Sequence, residues 1–187
     1  MCYLEIYMGV NHDEILLEVD ERNQPIGELS RREMQAGTSK WVRTGDVVVI
    51  NSQKQIVCHQ RHPDLRSWPG LWAYCFGGHA EPGEDPIATA LKELREESGI
   101  EVASSKLRSL GVYRDQTRHK FKHYFLLGWD GDINDLELEA DEVVQAKWME
   151  LSEVEKIYAG NDPDWASVGN EVFQLQQIKK LIDLIWN

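Results

Sequence analysis

Cysteine is scarce in this chain of 187 residues, and its three copies stand far apart, at Cys2, Cys58 and Cys75. No two of them have the Cys-X-X-Cys spacing of a zinc site or redox pair, and an odd number cannot complete a disulfide framework. The sequence therefore gives no support to a cysteine-based metal centre or a disulfide scaffold. A reducing cytoplasm is the expected compartment.

Positive charge is also in short supply. The chain has 20 Lys and Arg residues against 32 Asp and Glu, which gives a formal net charge of −12. Such a surface repels the phosphate backbone of nucleic acids, so we expect no nucleic-acid polymer as a partner. A small anionic substrate is compatible with this charge if a local basic pocket or a bridging cation receives it.

Long apolar runs are absent as well. No stretch reaches the roughly 20 apolar residues that a membrane-spanning helix needs. The N-terminal segment has no basic region of the kind that opens a signal peptide, and Glu5 interrupts its apolar run. We therefore expect neither a signal peptide nor a membrane partner.

The length fits one domain, and we find no internal repeat or low-complexity linker. We expect a single domain over residues 1–187, with an N-terminal hairpin and short helix in 15–45, a core in 46–150 and C-terminal helices in 151–187.

The hydrophobic pattern predicts strands and helices that follow one another without strict alternation. Strands are predicted at 15–20, 25–29, 46–50, 55–60, 71–76, 107–113, 122–129 and 145–149. Helices are predicted at 30–37, 86–98, 152–159 and 172–186, with Ser30, Asp85 and Ser152 as N-caps and Gly99 just after the second helix. This order indicates an α/β protein of the α+β type, with a mixed sheet flanked by helices.

One helical turn concentrates negative charge, in the stretch KELREESG at 92–99. Glu93 is three residues before Glu96 and four before Glu97, spacings at which like charges cost about 0.2–0.5 kcal/mol per pair. Two interpretations are open from these residues alone. The glutamates can form a solvated face, or they can hold a divalent cation, which would remove the repulsion.

The surrounding string, GGHAEPGEDPIATALKELREESGI at 77–100, resembles the Nudix box. Every defined position of that motif is filled except its arginine, which is Lys92 here. The resemblance implies a Nudix α/β/α sandwich with a mixed sheet, in which Mg²⁺ or Mn²⁺ is bound by the side chains of Glu93, Glu96 and Glu97 and the carbonyl of Gly78. Glu84 would have a supporting role. Lys92 would keep the positive charge that orients the box glutamates, with a less defined geometry than arginine's planar fork.

The same resemblance implies metal-dependent hydrolysis of a diphosphate bond, with Glu93, Glu96 and Glu97 as the catalytic carboxylates. The expected substrate is a nucleoside diphosphate linked to another moiety, or a related small diphosphate. The general base can be a box glutamate or an acid of the 137–142 loop, where Glu139 and Glu142 are candidates for a base or a further metal ligand. Clustered carboxylates titrate together, so the sequence does not single out one base.

Segments outside the box are similar to isopentenyl-diphosphate isomerases and the hydrolase-like proteins close to them, which makes isomerisation an alternative function. That chemistry needs a cysteine directly before the Gly-His pair, and Gly77 stands there. It also needs a glutamate on a later strand, and Asp115 is the only acid between Tyr113 and Trp129. A non-catalytic nucleotide-sensing domain is a further alternative. The complete set of box glutamates favours the hydrolase.

Two basic segments are candidates for substrate binding. Arg61 and Arg66 precede the strand that leads to the box. Arg118 and Lys120 belong to a second group, in which residues 118, 120 and 122 share a face if the segment is a strand. They can bind phosphates of a small diphosphate, or they can form a solvated hairpin tip. The resemblance also makes a homodimer a possibility.

Overall fold

The computed structural model describes residues 14–167 and 170–185, so the expectations for the N-terminal segment and for Cys2 lie outside the described residues. Nine strands form one mixed sheet. They are β1 (Ile15–Val19), β2 (Pro25–Ser30), β3 (Trp41–Ile50), β4 (Gln55–Arg61), β5 (Trp72–Ala73), β6 (Phe76–His79), β7 (Arg108–Asp115), β8 (Lys120–Gly128) and β9 (Val143–Glu150).

Within the described residues, four α-helices accompany the sheet, namely α1 (Arg31–Gln35), α2 (Pro86–Ser98), α3 (Leu151–Ala159) and α4 (Glu171–Ile185). The predicted caps Ser30 and Asp85 are confirmed, and Gly99 ends α2 in the left-handed conformation with φ 73°. None of the helices in the described part of the chain is long and apolar enough to cross a membrane.

Strand β3 organises the sheet because it pairs with four other strands. It runs parallel to β8 along nine paired residues, from Val42 opposite Lys120 to Ile50 opposite Gly128. On its other edge it pairs antiparallel with β1, β6 and β4 in turn. The register across β6, β3 and β8 therefore fixes which residues of these three strands are neighbours.

The two faces of β3 bury different helices. Val48 and Ile50 belong to a buried cluster that includes apolar residues of α3 and α4, whereas Val47 and Val49 pack with Ala90 of α2 and its neighbours. Full burial of such a side chain is worth about 1.5–3 kcal/mol, so the alternation in one strand holds a helical layer on each side. This confirms the predicted sandwich with a mixed sheet.

Several boundaries differ from the sequence prediction by one to five residues, and three of them have a visible structural reason. Strand β3 begins at Trp41 rather than at residue 46. The additional segment includes the charged residue Arg43, which can be buried in the sheet because it donates hydrogen bonds to the side chain and the carbonyl of Asn23, at 2.9 and 2.6 Å. The predicted strand 71–76 is interrupted at Tyr74, whose hydroxyl donates to Gln174 at 2.6 Å.

The third difference concerns the start of α3. Ser152 is not its N-cap, because the helix already begins at Leu151, and Glu150 at the cap makes no side-chain hydrogen bond. The backbone N–H of Leu151 donates instead to the carbonyl of Lys54 at 3.1 Å. A tertiary contact with the β3–β4 turn thus replaces the predicted local cap.

Candidate active site

Helix α2 carries the acidic cluster to the sheet, and both its ends and its apolar face are fixed. The Asp85 side chain accepts backbone N–H groups of the first turn at 2.9 and 2.8 Å. Ala90 and Leu94 are fully buried beneath the helix. The last turn, which bears the glutamates, is therefore held against β3 and β6.

A cavity of about 370 Å³ opens beside this turn, and its wall carries charge of both signs. The acidic side chains of the wall are Glu14, Asp46, Glu93, Glu97, Asp115, Glu139 and Glu142, and the basic ones are Arg31, Arg61, Arg66, Arg118, Lys120 and Lys122. All four predicted substrate-binding residues lie in this wall, together with two of the three predicted box glutamates.

Glu93 lies directly against the backbone of Gly78. A Cβ atom at position 78 would stand 2.4 Å from the Glu93 carboxyl carbon, so only glycine leaves room for this carboxylate. Burial raises the pKa of Glu93 to about 8; Lys92 counteracts this shift, while Glu96 and Glu142 add to it. The free protein therefore disfavours a negative charge at a position where the family resemblance places a metal ligand.

Glu97 is the most enclosed of the box glutamates, with 3% of its surface exposed. Its carboxylate accepts the backbone N–H of Gly77 at 3.0 Å. Burial holds its pKa well above the ordinary value, and the charges of Glu142 and Glu93 act in the same direction, whereas Arg61 and the Gly77 N–H oppose them. Glu93 and Glu97 thus form a buried pair of interacting carboxyls at one end of the cavity.

Glu96 does not line the cavity. Its side chain is 45% exposed and lies 3.7 Å from Arg95. Its negative charge still raises the pKa values of Glu93 and Glu139, so it belongs to the same electrostatic cluster. The structure therefore brings two of the three predicted glutamates together and places the third at the margin.

Lys92 links the loop and the helix of the box. Its Nζ atom lies 2.7 Å from Glu81, 3.5 Å from Glu84 and 3.6 Å from Glu93. Glu84 also accepts the hydroxyl of Thr89 at 2.9 Å and lies outside the cavity wall. Glu81 was not among the site residues predicted from the sequence.

The loop before β9 adds two carboxylates to the same end of the cavity. Glu139 and Glu142 both line the wall, and the Glu142 N–H donates to the Glu139 carbonyl at 3.0 Å. The Glu142 carbonyl in turn accepts the N–H of His62 at 2.7 Å, which anchors the loop to the segment after β4. Burial raises the pKa of Glu139, and Glu142 contributes to the shift.

The basic part of the wall is largely paired. Arg66 donates to the Gln35 side chain at 2.7 Å, Arg118 lies 3.1 Å from Asp115, and Arg61 donates to the Ser67 carbonyl at 3.1 Å. Arg31, which the sequence reasoning did not single out, binds Glu14 through two hydrogen bonds. No local motif marks Arg31, because the short helix α1 meets the cavity only in the folded chain.

Lys122 and Asp46 form a largely buried ion pair in the same cavity. Their charged atoms are 3.6 Å apart, and Asp46 also accepts the Thr44 hydroxyl at 2.6 Å. Burial is the largest influence and alone would lower the pKa of Lys122, but Asp46, Tyr124 and Cys75 together outweigh it and hold that pKa above the ordinary value. Lys122 is therefore held in its charged form beside Asp46.

The residues around Glu93 suit a divalent cation in their chemistry. Among residues 14–167 and 170–185, no three His, Cys, Asp or Glu side chains already converge in the arrangement of a metal site. The donors at this end of the cavity are nevertheless carboxylate and backbone oxygens, which Mg²⁺ prefers. Burial and mutual repulsion both oppose charge on Glu93 and Glu97, and a bound cation would offset both.

Comparison with known proteins gives a consistent match. A family model described as the NUDIX domain matches residues 40–168. An uncharacterised Nudix hydrolase from Listeria monocytogenes is 28% identical over 116 residues, which cover 62% of this chain and 68% of that protein. An isopentenyl-diphosphate Delta-isomerase from Serratia proteamaculans is 31% identical over 124 residues, which cover 64% of this chain and 68% of that protein.

Solved structures show the same fold. A protein from Deinococcus radiodurans aligns with a TM-score of 0.71 at 22% identity, over 88% of this chain and 98% of that one. An Ap4A hydrolase from C. elegans aligns with a TM-score of 0.53 at 22% identity, over 76% of this chain and 98% of that one.

Proposed function

Because this chain belongs to the Nudix family, we propose that it hydrolyses a diphosphate bond in a small molecule with the help of a bound divalent cation, Mg²⁺ or Mn²⁺. The observation that carries the proposal is the buried pair Glu93 and Glu97 at one end of a cavity whose remaining wall bears six cationic side chains. Carboxylates suit the metal, and the cations suit phosphates. The substrate is a nucleoside diphosphate linked to another moiety or a related small diphosphate.

The metal would be held by Glu93, Glu97 and the Gly78 carbonyl, with Glu96 contributing negative charge from the margin. When bound, such a cation neutralises phosphate charge and lowers the pKa of coordinated water. The Gly77 N–H fixes the Glu97 carboxylate, and Lys92 orients Glu93.

Glu139 and Glu142 are candidates for the group that removes a proton from the attacking water. Both lie in the wall close to the box glutamates: the charge of Glu142 raises the pKa of Glu97, and the charge of Glu96 raises the pKa of Glu139. Burial raises the pKa of Glu139, which makes its carboxylate a stronger base and suits this role.

Isomerisation of a prenyl diphosphate is the second candidate, because relatives with that name match this chain. Two observations support hydrolysis instead. A Cβ atom at Gly77 would lie 2.6 Å from the Gly45 carbonyl oxygen and 2.7 Å from the Asp46 Cα, so a cysteine does not fit there without a backbone shift. The isomerase chemistry also requires a glutamate on a later strand. The later strand β8 carries Lys120 and Lys122 on its cavity face instead.

The test is a substrate panel with purified protein and Mg²⁺. It includes nucleoside diphosphates, nucleoside diphosphates joined to sugars or to a second nucleoside, and isopentenyl diphosphate. We expect phosphate or monophosphate products from at least one compound, and loss of that activity in Glu97→Gln. Glu101→Gln, on an exposed residue just after α2, is the matched control and should keep full activity.

Other outcomes would replace the proposal. Conversion of isopentenyl diphosphate into its dimethylallyl isomer would establish the isomerase. Inactivity of the wild type across the panel, combined with nucleotide binding that Glu97→Gln leaves unchanged, would establish a sensor.

The proposal also includes a reducing cytoplasm and leaves room for a homodimer. Cys58 and Cys75 are both free in the structure, and burial raises the pKa of Cys75 to about 12, which suits unreactive thiols. Sedimentation velocity at micromolar concentration measures whether the protein is a dimer.

A further inference from the structure

Lys120 differs from every other cation in the cavity wall. Each of the others has a hydrogen bond or ion pair to an acid, an amide or a carbonyl, as described for Arg31, Arg61, Arg66, Arg118 and Lys122. Within the described residues Lys120 has neither, although it is partly buried. A partly buried ammonium without a hydrogen-bond partner is costly, which indicates that a ligand supplies the partner.

His79 presents a second incomplete group. It is 9% exposed and lines the cavity, and its Nε2 atom is buried without any hydrogen-bond partner among the described residues. A buried polar atom left without a hydrogen bond is destabilising, because it has lost its contact with water. In the tautomer that carries hydrogen on Nε2, this atom donates to an acceptor in the cavity.

The sheet register places these two groups on one face. His79 of β6 is opposite Thr44 of β3, and Thr44 is opposite Lys122 of β8, so the three side chains share a face. Lys120 is two residues before Lys122 and therefore points to the same side. Gly78, which contacts Glu93, faces the other side of β6.

We propose that Lys120 and His79 form an anion-binding subsite, distinct from the carboxylate end of the cavity, that takes the terminal phosphate of the substrate. This inference rests on the proposed hydrolase function and narrows its substrate to diphosphates with a free terminal phosphate. The neighbouring charges of Arg31 and Lys122 also favour an anion, and they oppose a metal ion at His79.

A terminal phosphate suits the subsite better than a bridging one. It carries a charge of about −1.5 to −2 at pH 7 and three acceptor oxygens, whereas a bridging phosphate esterified on both sides carries a single charge. An ammonium and an imidazole N–H can each bind one of these oxygens through a charge-assisted hydrogen bond. A diphosphate blocked at both ends offers the subsite less negative charge and fewer free acceptor oxygens.

The first experiment measures binding of inorganic phosphate by calorimetry in metal-free buffer with a chelator, so that the carboxylate end is not involved. We expect the wild type to bind phosphate, and Lys120→Met and His79→Leu each to weaken binding at least tenfold. Lys147→Met, on a strand lysine that lies over Trp72 and away from the cavity, should bind as the wild type does. Equal binding by Lys120→Met, or no binding by the wild type, would overturn the subsite.

The second experiment compares a nucleoside diphosphate with the same compound methylated on its terminal phosphate, both with Mg²⁺. We expect Lys120→Met to raise KM at least tenfold for the free compound and to leave KM for the methylated one unchanged. If neither compound nor any other in the panel is hydrolysed, yet phosphate binding depends on Lys120, the hydrolase proposal fails and the anion subsite stands. If hydrolysis occurs but Lys120→Met keeps the wild-type preference, the subsite fails and the hydrolase stands.

Discussion

Replacing Lys120 with methionine should make the free protein more stable. The substitution keeps an unbranched side chain of similar length but removes an ammonium that burial disfavours. Burial lowers the pKa of Lys120 from 10.5 to about 8, and Lys122 contributes to this shift. That difference corresponds to about 3 kcal/mol of unfolding free energy, or roughly 6–12 °C in Tm for a chain of this size.

The gain should depend on pH in a defined way. Below pH 8, Lys120 is protonated in the folded and the unfolded chain, so the wild type bears the full penalty. Between pH 8 and 10.5 only the unfolded chain keeps the proton, and the stability of the wild type rises toward that of the variant. Above pH 10.5 the two should be equally stable.

Lys122→Met is the matched control for this effect, since the two lysines lie on one face of β8. It removes the partner of buried Asp46 and should destabilise the protein by about 3–5 kcal/mol. Urea unfolding followed by tryptophan fluorescence at pH 7 and pH 9 measures both variants. An unchanged or lower unfolding free energy for Lys120→Met at pH 7 would refute the view that its charge is unpaired and buried.

Three other substitutions test the carboxylate end. Gly78→Ala places a methyl group where the Glu93 carboxylate lies and should lower kcat about a hundredfold in a Mg²⁺-dependent assay. A wild-type kcat would contradict the requirement for this position of the Glu93 carboxylate. Lys92→Arg should raise kcat or leave it unchanged, because the planar guanidinium of arginine can bind two of the three nearby carboxylates at once. A clear fall in kcat would mean that lysine is adapted to this site. The pKa of Glu93 is raised to about 8, so between pH 4.5 and 8 the unfolded chain loses this proton while the folded chain keeps it, and the metal-free protein should lose stability as pH rises. Because Mg²⁺ binds the deprotonated carboxylate, the increase in Tm caused by Mg²⁺ should grow over pH 6–8. Glu93→Gln should abolish that growth in a thermal-shift titration, and a growth equal to that of the wild type would exclude Glu93 as the group responsible.

Local signals predicted the helix of the box well. Asp85 and Gly99 act through hydrogen bonds and backbone conformation within a few residues, so the sequence alone reveals them. Ser152 shows the limit of local signals. The side chain of Ser152 was expected to cap α3, but the first N–H of the helix, at Leu151, donates to the Lys54 carbonyl in the β3–β4 turn instead.

The site was predictable in its acidic part and less so in its basic part. Glu93 and Glu97 belong to one turn of one helix, and their shared position follows from helical periodicity. Arg31 comes from α1, and its place in the wall depends on tertiary packing that no short pattern encodes. The sequence also shows that Lys120 is basic, but only the folded structure shows that it lacks a hydrogen-bond or ion-pair partner among the described residues.

Strand β6 has a further consequence for the free protein. Its backbone stands between lysines on one face and glutamates on the other, and no ion pair joins Lys120 or Lys122 to Glu93 or Glu97 in the described residues. Without this separation these lysines and glutamates could pair with each other, and a ligand would first have to break that pairing. The strand keeps the two groups apart, so a phosphate meets Lys120 without a hydrogen-bond partner, and a metal meets Glu93 and Glu97 without competition from these two lysines.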